Sequence, residues 1–94
     1  MRVERIIWVP DIVDKLASKH GVMLTEVEEV LHAQPVIRRM KRGHRLGEDV
    51  FAALGQTAAG RYLIVFFVHK QTREALVISA RDMDKGERRT YEQR

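Results

Sequence analysis

The side chains with the most chemical potential gather near the C-terminus: Arg81, Lys85, Glu87, Arg88, Arg89 and Tyr91. Metal-free cleavage of RNA needs a group that helps deprotonate a 2′-hydroxyl, fixed positive charge for the developing pentavalent phosphate, and an acid for the leaving oxygen. Arginine supplies the charge, and a tyrosine beside it can stack on a base. If residues 84–92 form a helix, Arg88 and Tyr91 lie three apart and Glu87 and Tyr91 four apart, so they share a face beside the strand that delivers Arg81. The same spacing also suits an ordinary surface helix, with Glu87, Arg88 and Glu92 in ion pairs and Tyr91 fastening the helix to a sheet. Spacing alone does not choose between the two.

A second group of cations lies upstream. Five of the eight residues from Arg38 to Arg45 are Arg or Lys (Arg38, Arg39, Lys41, Arg42, Arg45), and no acid interrupts them. Such a run is either a solvated face or a surface for anions. With a formal net charge of +4, a nucleic-acid partner is the reading to test, and Lys85 and Arg89 extend the same RNA-binding set. Other chemistries find little support. The four histidines (His20, His32, His44, His69) lack the i, i+4 spacing of a zinc helix, so neither metal nor cofactor is expected. The glycines match no phosphate-loop pattern, and neither Ser18 nor Ser79 sits in a nucleophile-elbow sequence. There is no cysteine, hence no thiol nucleophile, no disulfide and no tie to an oxidising compartment.

These residues need elements to place them. Arg5 to Val9 is β-prone and stops at Pro10, which predicts a short N-terminal strand. From Asp11, Ile12, Val13, Leu16 and Ala17 form a helical stripe, and Gly21 stands where a left-handed cap belongs. Thr25 and Glu28 suggest a capping box for a second helix, with Val27, Val30 and Leu31 buried and Gln34-Pro35 as its end. The period then changes. Residues 36–40, 49–57, 62–69 and 75–80 read as four strands of an antiparallel meander. Tyr62 to Val68 is apolar at every position and so is expected as a central strand covered on both sides. Gly43 and Gly60 read as turn residues, and Gly55 as the mark of a bulge. Asp84 and Glu87 suggest a capping box for a final, largely polar helix. The expected class is α+β in one domain over residues 1–94, the size at which a single core uses nearly every apolar segment. The apolar stretch Ile6 to Pro10 is too short for a signal peptide and no stretch suits a membrane helix, so a cytoplasmic protein is expected.

The run Ile78-Ser79-Ala80-Arg81-x-Met83-x-x-x-Glu87-Arg88-Arg89-x-Tyr91 resembles the C-terminal signature of BrnT-type toxins. Lys19-His20-Gly21-Val22 resembles the family's KHGV segment, and Gly55-Gln56-Thr57-x-x-Gly60-Arg61 its G-x-T-x-x-G-R hairpin. Three motifs in the same order span nearly the whole chain. Val9 departs from the family's usual aspartate after tryptophan, and the Arg38 to Arg45 loop departs from relatives with acids and a histidine there.

The resemblance implies a RelE-like fold, a ribonuclease of a type II toxin–antitoxin system that inhibits translation, and a ribbon-helix-helix antitoxin of the BrnA kind. That antitoxin would neutralise the toxin, in a complex for which a heterotetramer is one expected form, and would alone meet operator DNA. By residue, it implies Arg81 and Arg88 as the foremost catalytic candidates, then Arg61, Glu87 and Tyr91. Our own reading of their roles has Arg81 and Arg88 stabilise the phosphorane while His69, Glu87 or Tyr91 transfers protons. The competing expectation is a non-catalytic module that binds nucleic acid or antitoxin on the same scaffold.

Overall fold

The computed structural model describes all 94 residues, and its order of elements follows from local signals. Strand β1 (Arg5–Ile7) leads into helix α1 (Pro10–His20), whose first residue is a proline. Proline's fixed φ suits that position and its missing N–H would be unpaired there anyway. Gly21 ends α1 at φ 61°, and the Gly21 and Val22 N–H groups donate to the Ala17 and Leu16 carbonyls. That left-handed turn is the one expected of glycine.

Helix α2 (Leu24–His32) begins earlier than Thr25 and Glu28 suggest. Met23 is its cap residue, and the Met23 N–H donates to Glu26 Oε1 at 3.0 Å. Tertiary burial overrides the local cap signal here. Val22 is 1% exposed, so the chain must turn into the helix directly after it to keep Val27, Val30 and Leu31 on the same buried face. The helix stops before Pro35 as expected, with Gln34 in the left-handed region.

Strands β2 (Val36–Lys41), β3 (Val50–Gln56), β4 (Tyr62–His69) and β5 (Glu74–Asp82) form the antiparallel meander. β1 adds a fifth strand, parallel to β5, and the sheet order is β1-β5-β4-β3-β2. β5 runs two residues beyond the expected Ala80, so Arg81 and Asp82 are strand residues. They pair with Ile64 and Leu63, and consecutive strand residues face opposite sides. That alternation decides the fate of each.

Helices α1 and α2 cover one face of the sheet. Leu16, Val22, Val27 and Val30 pack there on Ala53, Leu63, Val65, Phe67 and Val77. Each fully buried valine or leucine contributes about 1.5–3 kcal/mol. Gly55 lies beneath α2, and a Cβ on it would stand 3.1 Å from Val30 Cγ1 and 3.6 Å from Pro35 Cβ. Gly55 therefore marks close helix approach, not the bulge expected of it; its pairing with Leu63 is regular. The register shifts fall at Arg39/Lys41 and Phe66/Phe67.

The opposite face is only partly covered, which corrects the expectation of a β4 enclosed on both sides. Helix α3 (Lys85–Glu92) lies over one end of it. Its capping box is the one expected: the Glu87 N–H donates to Asp84 Oδ1 at 2.7 Å and the Asp84 N–H to Glu87 Oε1 at 2.9 Å. Tyr91 is its single buried residue, set among Ala52, Leu54 and Ile64. Phe66 and Val68 stay half-buried beyond the helix. No helix is long and apolar enough to cross a membrane.

Gly55→Ala should lower stability by about 1–3 kcal/mol, since the added methyl comes within 3.1 Å of the fully buried Val30 and overpacks the core beneath α2. Chemical denaturation of the variant beside the parent measures it.

Candidate active site

Two arginines near one end of the sheet look alike in sequence and differ sharply in their surroundings. Arg61 lies on the side of α1 and α2. Its Nε donates to Asp82 Oδ1 at 2.8 Å and its Nη2 to Asp82 Oδ2 at 3.1 Å. The same Nη2 donates to the His20 carbonyl at 3.2 Å, and Nη1 to the Gly21 carbonyl at 2.8 Å and to Glu26 at 3.2 Å. A guanidinium has five N–H groups, and these partners use all five. Arg61 is a clamp, and no donor is left for a substrate.

Arg81 points to the other side, beside α3. Its Nη1 and Nη2 form a two-pronged ion pair with Glu87 at 2.7 and 2.8 Å, and Nη1 also donates to the Asp82 carbonyl at 3.1 Å. Nε–H and the second hydrogen of Nη2 have no protein partner. These two form the side-on fork that matches a pair of phosphate oxygens. The guanidinium carbon lies 5.5 Å from the Phe66 ring centre. Its side chain is 38% exposed against 27% for Arg61, so the free edge meets solvent.

The hydrogen bonds and charges of these pairs shift their ionisation in a consistent sense. The Glu87 carboxylate holds Arg81 above the ordinary arginine range, and Arg81, aided by the Asp84 N–H, holds Glu87 below the ordinary carboxylate range. Asp82 and Arg61 shift each other likewise, with Glu26 adding to the effect on Arg61. Glu87 is thus ionised at neutral pH with both oxygens engaged.

Arg88 is placed apart from Arg81. It lies 3.9 Å over the Tyr62 ring and pairs loosely with Glu92 at 3.7 Å. Tyr62 and Phe66 share a face of β4 four residues apart, about 13 Å along the strand, so Arg81 and Arg88 address different groups. Tyr91 is 8% exposed, edge-on to Tyr62 at 5.9 Å and covered by Arg94 at 3.9 Å. Its ring serves packing, with no free face for a base. His69 lies five residues from Ile64 along β4 and on the opposite side from Arg81. It is bonded to the Arg2 carbonyl and stands edge-on to Phe51 and Phe67.

Between α3 and β2 a groove of about 470 Å³ runs over Ala52, Leu54 and Ile64, with Arg38 and Arg39 on one rim and Asp84 and Glu87 on the other. Arg39 pairs with Asp49 at 3.4 Å, whereas Arg38, Lys41, Arg42 and Arg45 have no carboxylate partner. Lys85 and Arg89 project from α3 into solvent without partners. Arg38, Arg39 and Glu87 line this groove, Arg81 reaches it only through its ion pair with Glu87, and Arg61, Tyr91 and His69 do not line it. Asp82, which the motifs do not single out, is the partner that anchors Arg61. The period-two alternation after Arg81 is the signal for it, legible once the strand is known to reach residue 82.

The ion pairs set how stability responds to pH and to substitution. Asp82 and Glu87 are held below their ordinary range in the folded chain, so the stability they contribute is full above about pH 4 and is lost as the pH falls from there towards their folded values. The melting temperature of the parent should drop steeply below about pH 4, and Glu87→Gln should flatten that fall. Arg61→Ala should cost about 2 kcal/mol at neutral pH, because two carboxylates and two carbonyls lose their donor, and Arg61→Lys should recover only part of it. Denaturant titration of both variants measures the difference.

Comparison with known proteins adds the family. None of the curated proteins compared matches the chain. The family model described as "Ribonuclease toxin, BrnT, of type II toxin-antitoxin system" matches residues 8–87. That span begins just after β1, takes in both clamped motifs around Arg61, and closes on Glu87, the partner of Arg81. Matched over this length, with the α+β architecture and motif contacts described above, the chain belongs to the BrnT family of ribonuclease toxins of type II toxin–antitoxin systems.

Proposed function

We propose that this chain is a sequence-relaxed endoribonuclease that cuts RNA without a metal ion, arrests translation in the cytoplasm, and is neutralised by a ribbon-helix-helix antitoxin of the BrnA kind. The antitoxin would carry the contact with operator DNA. One observation supports the reading most: Arg81 is held by Glu87 and the Asp82 carbonyl with its Nε and Nη2 edge free, at the rim of an uncovered sheet face.

A preorganised charge of this kind does not have to reorganise as the phosphorane forms, and one such donor is worth about 10²–10³ in rate. Glu87 is a positioning residue in this account. Its oxygens hold the guanidinium flat, and its depressed ionisation makes it a weak base. It is also the one candidate proton carrier that stands beside Arg81. Arg88 over Tyr62 and the unpaired Lys85 and Arg89 supply positive charge along the approach to the groove.

A second reading has one observation in its favour. None of the four histidines contacts Arg81, and a module that binds nucleic acid or antitoxin without cutting needs no such group.

The test is cleavage of RNA by the purified chain with divalent ions chelated. The parent should cut, Arg81→Ala should lose about 100-fold or more in rate while remaining folded by circular dichroism, and Arg81→Lys should stay well below the parent because an ammonium cannot fill the fork. Intact RNA, with binding that weakens steeply in salt, selects the module instead. Growth arrest on expression should follow the same ranking.

A further inference from the structure

The face of the sheet beside α3 continues well past Arg81. By register, Val50, Ala52 and Leu54 of β3 and Ile64, Phe66 and Val68 of β4 all lie on it. Helix α3 covers the Leu54–Ile64 end. At the other end the loop between β2 and β3 borders a second hollow of about 340 Å³ over Val50, Val68 and Leu76. Four basic side chains surround that hollow, Lys41, Arg42, His44 and Lys70, and none of them has a hydrogen-bond or ion-pair partner in the chain. Its one carboxylate, Glu48, already accepts from the Arg45 N–H at 3.1 Å.

Cations thus stand at two places along an apolar strip, Arg81 over the half-buried Phe66 ring and the second cluster beside Val68. Ile64 and Val68, which mark the two ends, are four residues apart, about 13 Å. The Arg81 guanidinium carbon lies over the Phe66 ring, 5.5 Å from its centre against 3.9 Å for Arg88 over Tyr62, so a base stacked on Phe66 would lie directly beside Arg81.

We infer that this face is a track for a single RNA strand, with phosphates gripped at Arg81 and again at the Lys41, Arg42, His44 and Lys70 cluster, and a base stacked on Phe66. The inference rests on the proposed function for the class of its ligand and adds to it a second phosphate subsite and a choice of strandedness. Only unpaired bases can lie on an apolar floor and an aromatic ring; a duplex keeps its bases stacked inside and offers phosphates and sugars alone. An acidic peptide would satisfy the cations but has no need of the ring.

The test uses the full chain, chelator, and 2′-O-methyl RNA, which has no 2′-hydroxyl to attack and so stays whole. The probes are a trinucleotide, an octanucleotide and the duplex of that octanucleotide, each titrated at several salt concentrations. The parent should bind the octanucleotide more tightly than either other probe. Phe66→Leu, which keeps the position apolar but removes the ring, should weaken octanucleotide binding about fivefold or more with an unchanged salt slope, and Phe66→Tyr should bind like the parent. The double variant Arg42→Ala/Lys70→Ala should lower the slope of log affinity against log salt by about 1.4, roughly 0.7 for each single-strand phosphate that is no longer neutralised.

Duplex bound as tightly as single strand, Phe66→Leu equal to the parent, or an unchanged slope in the double variant overturns the track. If the parent still cuts RNA in that case, the proposed function stands and the face belongs to another class of partner. A parent that neither cuts nor binds RNA overturns both.

Discussion

The Arg61 guanidinium is the constraint on which the rest of the architecture turns. It joins the α1–α2 connection, through the His20 and Gly21 carbonyls and Glu26, to the end of β5, through both oxygens of Asp82. Three stretches far apart in sequence meet at one planar group. The hairpin that carries it is itself built for the purpose: the Arg61 N–H donates to Thr57 Oγ1, the Thr57 N–H to the Arg61 carbonyl, and Gly60 takes φ 93° to close the turn. Because residues 81 and 82 face opposite sides of a strand, fixing Asp82 on the helical side also fixes Arg81 on the open side. The clamp thereby sets which side of the sheet Arg81 faces.

The same logic separates the surroundings of two arginines from different family motifs. A guanidinium whose five N–H groups are all spent is a structural joint. One with two adjacent N–H groups unspent, held flat by a carboxylate and turned to solvent, is a preformed receptor for a pair of oxygens. Arg81 has the second character, and α3 provides it: the capping box that starts the helix is also what presents Glu87 to Arg81. A helix with a single buried residue is thus held through its first turn and Tyr91 together.

What was legible in the sequence was what local chemistry decides. The strand that stops before Pro10, the helix that follows it, Gly21 closing that helix, the Asp84/Glu87 box and the meander all follow from short-range signals. The Thr25/Glu28 cap was not, because burial of Val22 and Val27 sets where α2 begins, and that depends on a sheet formed later in the chain. Gly55 read as a bulge for a similar reason: a lone glycine in a strand signals missing side-chain space, and only the packed α2 shows that Val30 fills it. Among the candidate residues, the resemblance drew Arg81, Glu87 and Arg61 from two motifs into one group, but a motif does not say which face of a sheet a residue occupies. Phe66 was hidden inside a run apolar at every position, where half the residues serve the core and half remain open.

The central claim is that Arg81 receives RNA phosphate while Arg61 holds the fold, and the guanidinium Nε–H signals report it directly. In the chain labelled with ¹⁵N at arginine, titration with uncleavable 2′-O-methyl RNA should shift the Arg81 Nε–H resonance strongly and leave that of Arg61 in place. A moving Arg61 signal beside an unmoved Arg81 signal would contradict the account.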